Sequence, residues 1–220
     1  MTPLPFLIAL PAALLLFVLL EYKARSPWPK VATKAFCSLL FLAAAIASGN
    51  APGGTPAAFG WFVAAFVLSL MGDVLLSWPM KKSFPLGLGA FLLAQCLFTV
   101  ALSIRWGVSF VDLGVFALLA AGTLTTLKNA PGMDYGKMAG PVNVYALAVS
   151  AMAAKAISGL YLGGGAGMGM AAVGGLMFFA SDVVLAFIVF NSKKRKSLRA
   201  INLTLYYLGQ GLLAGSLWFG

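Results

Sequence analysis

Long apolar runs separated by short polar stretches fill this sequence. About eight such runs cover positions 6–22, 32–48, 57–78, 84–104, 109–127, 138–158, 167–190 and 199–218. An α-helix rises 1.5 Å per residue, and about 20 mostly apolar residues cross the hydrocarbon layer of a bilayer. The pattern therefore predicts an all-α, polytopic membrane protein with about eight transmembrane helices. The connections are short, so we expect residues 1–220 to form a single helical domain.

The composition agrees with this pattern. Hydrophobic residues make up 61% of the 220 positions and charged residues 9%, and the mean hydropathy is +0.97. Soluble domains carry about 25% charged residues. We expect an integral membrane protein, of the kind found in the bacterial inner (cytoplasmic) membrane. The first run has neither a basic segment before it nor a clear small-residue cleavage site, which favours a retained helix over a signal peptide.

Most of the positive charge lies in alternate loops, which accounts for the net charge of +10. The basic loops follow runs one, three, five and seven and hold Lys23, Arg25, Lys30, Lys81, Lys82, Lys128, Lys137, Lys193, Lys194, Arg195, Lys196 and Arg199. The other loops hold only Arg105. Positive loops stay on the cytoplasmic side of a membrane, so the pattern predicts both termini on the outer side. Topology explains the charge, and we expect no nucleic-acid partner.

The sequence carries no motif for a metal or cofactor. It has no histidine, and its two cysteines, Cys37 and Cys96, lie far apart within predicted helices. That arrangement makes neither a zinc site nor a disulfide framework. Phosphate-binding and dinucleotide-binding fingerprints are also absent. We therefore expect no cofactor and no metal, whereas the oligomeric state stays open.

Asp73 and Asp182 are the most informative residues because both interrupt apolar runs. A carboxylate within a bilayer costs roughly 2.5 to 3.5 kcal/mol on insertion scales. The flanking sequences are alike, with Gly-Asp-Val-Leu-Leu at 72–76 and Ser-Asp-Val-Val-Leu at 181–185. The likeness suggests a weak repeat of four plus four helices in parallel orientation. Each aspartate could instead serve only to join helices.

The predicted topology gathers further polar residues at the same depth. Both aspartates lie in the inner half of the bilayer, roughly 8 to 12 Å from its cytoplasmic edge. The neighbouring polar residues are Lys34, Gln95, Asn143, Tyr145, Tyr206, Tyr207 and Gln210. Such residues face the bundle interior, so we expect an inward-opening polar cavity that they line, although each could simply hold helices together. Lys155 lies near the outer edge, where we expect its side chain to reach the interface.

Several stretches together resemble the YhhN family of membrane proteins, the lysoplasmalogenases, over about residues 30 to 217. They are Ser69-Leu70-Met71-Gly72-Asp73-Val74-Leu75-Leu76, Phe84-x-x-Gly87-Leu88-x-Ala90-Phe91-Leu92, Pro141-Val142-x-x-Tyr145 with Met152 following, Ala180-Ser181-Asp182-x-x-Leu185-Ala186, and Tyr206-Tyr207-Leu208-Gly209-Gln210. Two positions depart from the family pattern. Many members have Lys-Pro where this chain has Lys34-Ala35, and many have a histidine where it has Gln95.

The resemblance implies an enzyme that hydrolyses the vinyl-ether bond of lysoplasmalogens, a class of lysophospholipid. The products would be a fatty aldehyde and a glycerophospho-ethanolamine or -choline. This reaction needs a general acid and an anion close to an oxocarbenium ion, and two carboxylates in a low-dielectric pocket suit both roles. We expect Asp182 as the acid and Asp73 as the stabilising carboxylate, although the reverse assignment stays open. Lys34 and Arg199 would meet the lipid phosphate.

The main alternative is a proton-coupled transporter of a small or amphipathic solute. Two buried aspartates and a helical repeat are typical of such carriers. A carrier needs a path to both sides of the membrane, whereas the predicted polar layer lies in one half. A retinal-type sensor would need a deep lysine, and Lys155, the one candidate, is far from the aspartates.

Overall fold

The computed structural model describes residues 2–23, 26–50, 56–80, 82–162, 165–192 and 196–219. In these residues the chain forms eight α-helices and no strand, as the sequence predicts. They are α1 (Leu4–Lys23), α2 (Trp28–Gly49), α3 (Pro56–Ser77), α4 (Ser83–Trp106), α5 (Phe110–Asn129), α6 (Ala139–Leu162), α7 (Ala166–Phe190) and α8 (Lys196–Ser216), with a short 3-10 helix, Gly136–Met138, before α6. Of the basic loop residues, Arg25, Lys81, Lys193, Lys194 and Arg195 lie outside the described residues.

Seven of the helices, α1 to α7, are long and apolar enough to cross a membrane in the described part of the chain. The eighth predicted crossing, α8, is present as a helix but is less apolar. Its polar side chains include Asn202, Tyr206, Tyr207 and Gln210, and all four are buried. Helix α8 packs against α1, α2 and α7. Its polar residues therefore face the protein interior, which accounts for its lower hydropathy.

The helix contacts repeat between the two halves of the chain. Helices α1 to α4 pack in sequence order, with α3 against α4, and helices α5 to α8 do the same, with α7 against α8. Between the halves α2 contacts α8 and α6 contacts α4, which are equivalent pairs when the halves are exchanged. This arrangement agrees with a parallel repeat of four helices, which returns the chain to its starting side.

Glycines allow α7 and α8 to approach closely. A Cβ atom added to Gly174 would lie 2.7 Å from the carbonyl oxygen of Gly209, and one added to Gly209 would lie 2.8 Å from that of Gly174. Real Cβ atoms do not come so near to backbone oxygens, so both positions require glycine. Small residues at a helix interface bring backbones together in membrane proteins. This contact sets the distance between the helices that carry Asp182 and Tyr206.

A cluster of phenylalanines fills the bundle between α2, α3 and α4. Phe41, Phe62, Phe66 and Phe98 are fully buried. The ring centroids of Phe66 and Phe98 lie 5.0 Å apart, and those of Phe41 and Phe66 lie 5.6 Å apart. Phe66 precedes Asp73 by two helical turns, which places the cluster about 10 Å from Asp73 along α3. The phenylalanine cluster therefore closes the bundle on one side of this carboxylate.

Lys155 does not reach the interface, so that prediction was wrong. Only 4% of the residue is exposed, and its Nζ atom lies 2.8 Å from Oδ2 of Asp112 and 2.7 Å from Oγ of Ser158. The Tyr161 hydroxyl also donates to Asp112. A buried cation needs a paired anion, and Asp112, close to the start of α5, provides it. The lysine joins α5 to α6.

Candidate active site

A cavity of ≈ 80 Å³ lies toward the end of the bundle where α3 and α7 end and where α2, α4 and α8 begin. We call this the basic end, after Lys23 at the end of α1, Lys30 in the first turn of α2 and Lys82 just before α4. The cavity is lined by Lys34, Asp73, Leu76, Phe84, Phe91, Asp182, Leu185, Val189, Arg199, Asn202, Leu203 and Tyr206. The structure thus brings both intramembrane aspartates to one cavity, where their charges are close enough to interact.

Asp73 is held by three donors from two helices. Its Oδ1 atom lies 3.0 Å from Nζ of Lys34, and its Oδ2 atom accepts hydrogen bonds from the hydroxyl groups of Ser38 at 2.6 Å and Tyr206 at 2.7 Å. Lys34 and Ser38 are four residues apart on α2, so both face α3. Asp73 itself is only 1% exposed. Charge-assisted hydrogen bonds of this kind compensate a carboxylate for lost solvation.

Gly72 allows the ring of Phe91, which lines the cavity, to approach the helix turn that carries Asp73. A Cβ atom added to Gly72 would lie 2.6 Å from the ring of Phe91 on α4. The Phe91 ring in turn packs edge-on against Tyr206, with centroids 5.8 Å apart, and against Phe178, with centroids 6.4 Å apart. The glycine before the aspartate therefore places an apolar surface directly beside a charged group.

Asp182 has a different environment. Its Oδ2 atom accepts a hydrogen bond of 2.6 Å from the hydroxyl of Tyr145 on α6. Among the described residues no lysine or arginine lies within ion-pair distance of Asp182, and no donor bonds to Oδ1. The residue is partly exposed to the cavity. One carboxylate is thus fully bonded, while the other presents an oxygen that is available to a ligand.

A small apolar slot continues from the cavity past Asp182. Its volume is ≈ 40 Å³, and it is lined by Leu76, Phe84, Leu88, Phe91, Val142, Tyr145, Asp182, Leu185, Ala186, Val189 and Phe190. Apart from Asp182 and the Tyr145 hydroxyl, these side chains are apolar. The slot lies between α3, α4, α6 and α7, so an apolar group placed in it would lie beside Asp182.

Two cations lie at the mouth of the cavity. Lys34 pairs with Asp73, and Arg199 at the start of α8 pairs with Glu21 at the end of α1, with Nε and Oε1 3.2 Å apart. Lys30 also approaches Glu21, at 3.9 Å. About a third of the Arg199 side chain is exposed (35%). The mouth therefore combines positive groups with access from the basic end.

The predicted site residues divide into three groups. Lys34 and Tyr206 line the cavity, and Tyr145 lines the slot. Tyr207 and Gln210 are buried behind them: the Tyr207 hydroxyl donates to the carbonyl of Lys34 at 3.2 Å, and the Gln210 amide nitrogen donates to the Tyr206 hydroxyl at 3.4 Å. Tyr207 and Gln210 therefore do not face the cavity: Tyr207 bonds to the backbone of Lys34, and Gln210 bonds to the hydroxyl of Tyr206.

Gln95 and Asn143 form the third group, which lies outside the cavity lining. Asn143 is exposed on the outer surface of α6, so its predicted place in the cavity is wrong. It precedes Tyr145 by two residues, and positions two apart on a helix face different directions. Gln95 is fully buried, and neither atom of its amide has a hydrogen-bond partner in the described structure.

Two residues of the site were missed in the sequence. Ser38 bonds to Asp73, and Asn202 lines the cavity and donates to the carbonyl of Ser181 at 2.8 Å. Helical spacing could have identified both. Ser38 follows Lys34 by four residues and Asn202 precedes Tyr206 by four, so each shares a helix face with a residue that had been selected.

A larger cavity, of ≈ 440 Å³, lies at the opposite end between α4, α5 and α6. Its lining is mostly apolar, and its two charged residues, Asp112 and Lys155, are paired with each other. It therefore presents no available acid or base. In the described part of the chain no group of three Asp, Glu, Cys or His residues is placed to hold a metal ion.

The helices and the cavity define an integral membrane protein with a two-carboxylate site inside its helical bundle. The chain belongs to the YhhN family: the model of that family matches residues 29–217, as the sequence motifs suggested. The match includes every residue that lines the cavity and the slot. Comparison with curated proteins and with solved structures gives no match.

Proposed function

We propose that this protein is a membrane-embedded lysoplasmalogenase, which hydrolyses the vinyl-ether bond of a lysophospholipid. The observation that carries the proposal is the pair of aspartates in one cavity: Asp73 is fully hydrogen-bonded, whereas Asp182 has a single donor and also lines an apolar slot. Membership of the YhhN family supports the same substrate class. The products are a fatty aldehyde and a glycerophospho-ethanolamine or -choline.

Asp182 suits the role of general acid. Acid hydrolysis of a vinyl ether begins when a proton is added to the β-carbon of the double bond, which leaves an oxocarbenium ion at the α-carbon. The group that gives this proton must reach the hydrocarbon chain, and Asp182 lines both the cavity and the slot. With one donor and no paired cation, it is the carboxyl group that more readily carries a proton.

Asp73 suits the role of the anion that stabilises the oxocarbenium ion. Lys34, Ser38 and Tyr206 all donate to its oxygens, which favours the charged form. A fixed carboxylate near a developing positive charge lowers the barrier because the site needs no reorganisation during the reaction. Glycosidases divide the work between two carboxylates in the same way.

The mouth of the cavity suits a phosphate. Lys34, paired with Asp73, and Arg199, paired with Glu21, supply two cations to the cavity, and the slot continues from the same cavity past Asp182. A single-chain phospholipid could place its phosphate at this mouth and the first carbons of its alkenyl chain in the slot, which at ≈ 40 Å³ is too small for the whole chain. The linking vinyl ether would then lie near Asp182. Tyr145 would fix the orientation of that carboxyl through its hydrogen bond.

The transporter alternative receives less support from the packing. A carrier needs polar groups along a path from one side of the bundle to the other. The fully buried phenylalanine cluster packs α2, α3 and α4 together beyond Asp73, on the side away from the basic end. Opening a path would require these tightly packed rings to move apart.

The test is aldehyde release from lysoplasmenyl-ethanolamine by the detergent-purified protein. Wild type is compared with Asp182→Asn and Asp73→Asn, and we expect each substitution to lower the rate by about 10²-fold or more. Asp112→Asn is the control outside the cavity: it leaves Lys155 unpaired, so we expect a lower thermal midpoint but an unchanged rate. Thermal midpoints of all four proteins establish that each is folded.

Three outcomes would change the proposal. Fatty acid released from an acyl lysolipid in place of aldehyde would keep a hydrolase but move it to another bond. Full activity in Asp182→Asn would remove the proposed acid. Absence of product from either lipid, with folded wild type, would favour transport, which uptake into vesicles under a pH gradient would then measure.

A further inference from the structure

Gln95 is a buried amide without a partner. The residue is 0% exposed, and both Oε1 and Nε2 lack a hydrogen bond in the described structure. Buried polar groups in native proteins are nearly always bonded to protein or to water, and an apparent exception indicates a missing partner. A long polar side chain retained in a position that an apolar residue would fill therefore points to a ligand or a water molecule.

The position of Gln95 relates it to the site. Leu88, Phe91 and Gln95 share one face of α4, being three and four residues apart. Leu88 and Phe91 line the slot, so Gln95 lies one helical turn beyond its inner end. The Gln95 amide also lies close to the hydroxyl of Tyr145, which donates to Asp182. The amide N–H thus faces the Tyr145 hydroxyl, and Oε1 is the Gln95 atom left without a donor, beside the hydrogen bond that orients the proposed acid.

One water molecule could bond to both Gln95 and Asp182. Oε1 of Gln95 has no donor, and Oδ1 of Asp182 becomes a free acceptor once Asp182 has given its proton to the β-carbon, so a water molecule between them could donate one O–H group to each. Bonded to both, the water would direct its lone pair away from them, toward the slot. An oxygen oriented in this way can add to a carbon atom held beside Asp182.

We propose that Gln95 binds the water molecule that adds to the oxocarbenium ion. The inference rests on the proposed function. After Asp182 has protonated the β-carbon, the water oxygen forms a bond to the α-carbon and its proton returns to the Asp182 carboxylate. The resulting hemiacetal then collapses: Asp182 protonates the departing glycerol oxygen and recovers the hemiacetal hydroxyl proton. The sum is vinyl ether plus water to aldehyde plus alcohol.

The test replaces the amide by an apolar group of similar length, Gln95→Met. We expect kcat to fall at least tenfold with KM changed less than twofold, because the lipid contacts remain. The thermal midpoint should stay within 2 °C of wild type or rise, since the amide makes no contact with a protein group shorter than the limit of a normal hydrogen bond. Ser103→Ala is the control on the same helix: its hydroxyl bonds to the backbone of Thr99, and we expect kcat to stay unchanged.

Partition between water and methanol distinguishes a water site from a merely structural residue. Methanol can add to the oxocarbenium ion in place of water, with loss of its proton to Asp182, and gives a mixed acetal. A held water molecule limits this reaction, so Gln95→Met should raise the ratio of acetal to aldehyde at least threefold. An unchanged ratio with an unchanged kcat would overturn the proposal.

The thermal midpoint separates this inference from the proposed function. If wild type releases no aldehyde, the proposed function fails. The thermal midpoint of Gln95→Met still shows whether the Gln95 amide bonds to another protein group. A fall of more than 5 °C in Gln95→Met would show that Gln95 bonds to the protein, and the water site would be wrong. An unchanged midpoint, with an ordered water beside Gln95 in an experimental structure, would support it.

Discussion

At the scale of single residues, the two aspartates differ in what surrounds them. Lys34, Ser38 and Tyr206 donate to Asp73, whereas Tyr145 alone donates to Asp182. An isolated buried carboxylate is unfavourable, and a buried ion pair is a compromise between desolvation and attraction. Removing one partner of the Lys34–Asp73 pair should therefore lower the stability of the protein more than removing both partners.

This difference predicts a non-additive effect on stability. Lys34→Met leaves Asp73 without its cation, and we expect the protein to lose about 3 to 5 kcal/mol of stability. The double variant Lys34→Met with Asp73→Asn should recover most of this loss, since neither partner is then a buried charge. Thermal or denaturant unfolding in one detergent measures both. A double variant less stable than Lys34→Met would show that the two residues act independently.

The residues of the site could be predicted in part. Asp73, Asp182, Lys34 and Tyr206 were identified because a polar residue within an apolar run has a high cost and a limited set of places. The partners of the aspartates could not be identified. Tyr145 and Asp182 are on different helices, and sequence gives the depth of a residue but not its direction around the helix axis.

Asn143 and Lys155 were assigned wrongly for the same reason, because sequence does not give the direction of a side chain around the helix axis. Asn143 has the predicted depth but faces outward, so depth alone assigned it wrongly. Lys155 was expected at the interface, yet it turns inward to Asp112 on a neighbouring helix. In both cases the decisive quantity is the rotation of a helix, which depends on packing against neighbours that a single sequence does not specify.

At the scale of helices, the Gly174–Gly209 contact brings the backbones of α7 and α8 close together. Gly209→Ala would place a methyl group 2.8 Å from a backbone oxygen, so the helices must separate. We expect a loss of about 1 to 3 kcal/mol of stability, as for overpacked cores, with lower activity because Asp182 and Tyr206 move apart.

Gly169→Ala on α7 is the matched control for this prediction. An added Cβ at Gly169 meets no atom within 4 Å, so the substitution should leave stability unchanged or raise it slightly. Unfolding midpoints and aldehyde release measure both variants. Equal stability of Gly209→Ala and wild type would mean that the two helices are not held at this distance.

At the scale of the whole molecule, the helix contacts relate the two halves of the chain, while the residues at equivalent places differ. Asp73 contacts Lys34 on α2, and Asp182 contacts Tyr145 on α6. Since α2 and α6 occupy equivalent positions in the two halves, the same architecture supplies a cation to one aspartate and a neutral hydroxyl to the other. The proposed division between anion and acid follows from this asymmetry.

The orientation of the molecule is a prediction from its charge distribution. The basic loops should face the cytoplasm, with both termini on the outer side. A C-terminal alkaline phosphatase fusion should then be active, because this enzyme folds only outside the cytoplasm, and a fusion in the loop between α5 and α6 should be inactive. The reverse pattern would place the cavity mouth on the outer side.

The most direct test of the proposed acid catalysis is hydrolysis of lysoplasmenyl-ethanolamine in D₂O, with immediate trapping of the aldehyde and mass analysis. Protonation of the β-carbon by a solvent-exchanged Asp182 predicts an aldehyde that carries one deuterium at its second carbon. The same label should be scarce in Asp182→Asn because little aldehyde forms. An aldehyde without deuterium, or equal yield from Asp182→Asn, would contradict carbon protonation by this residue.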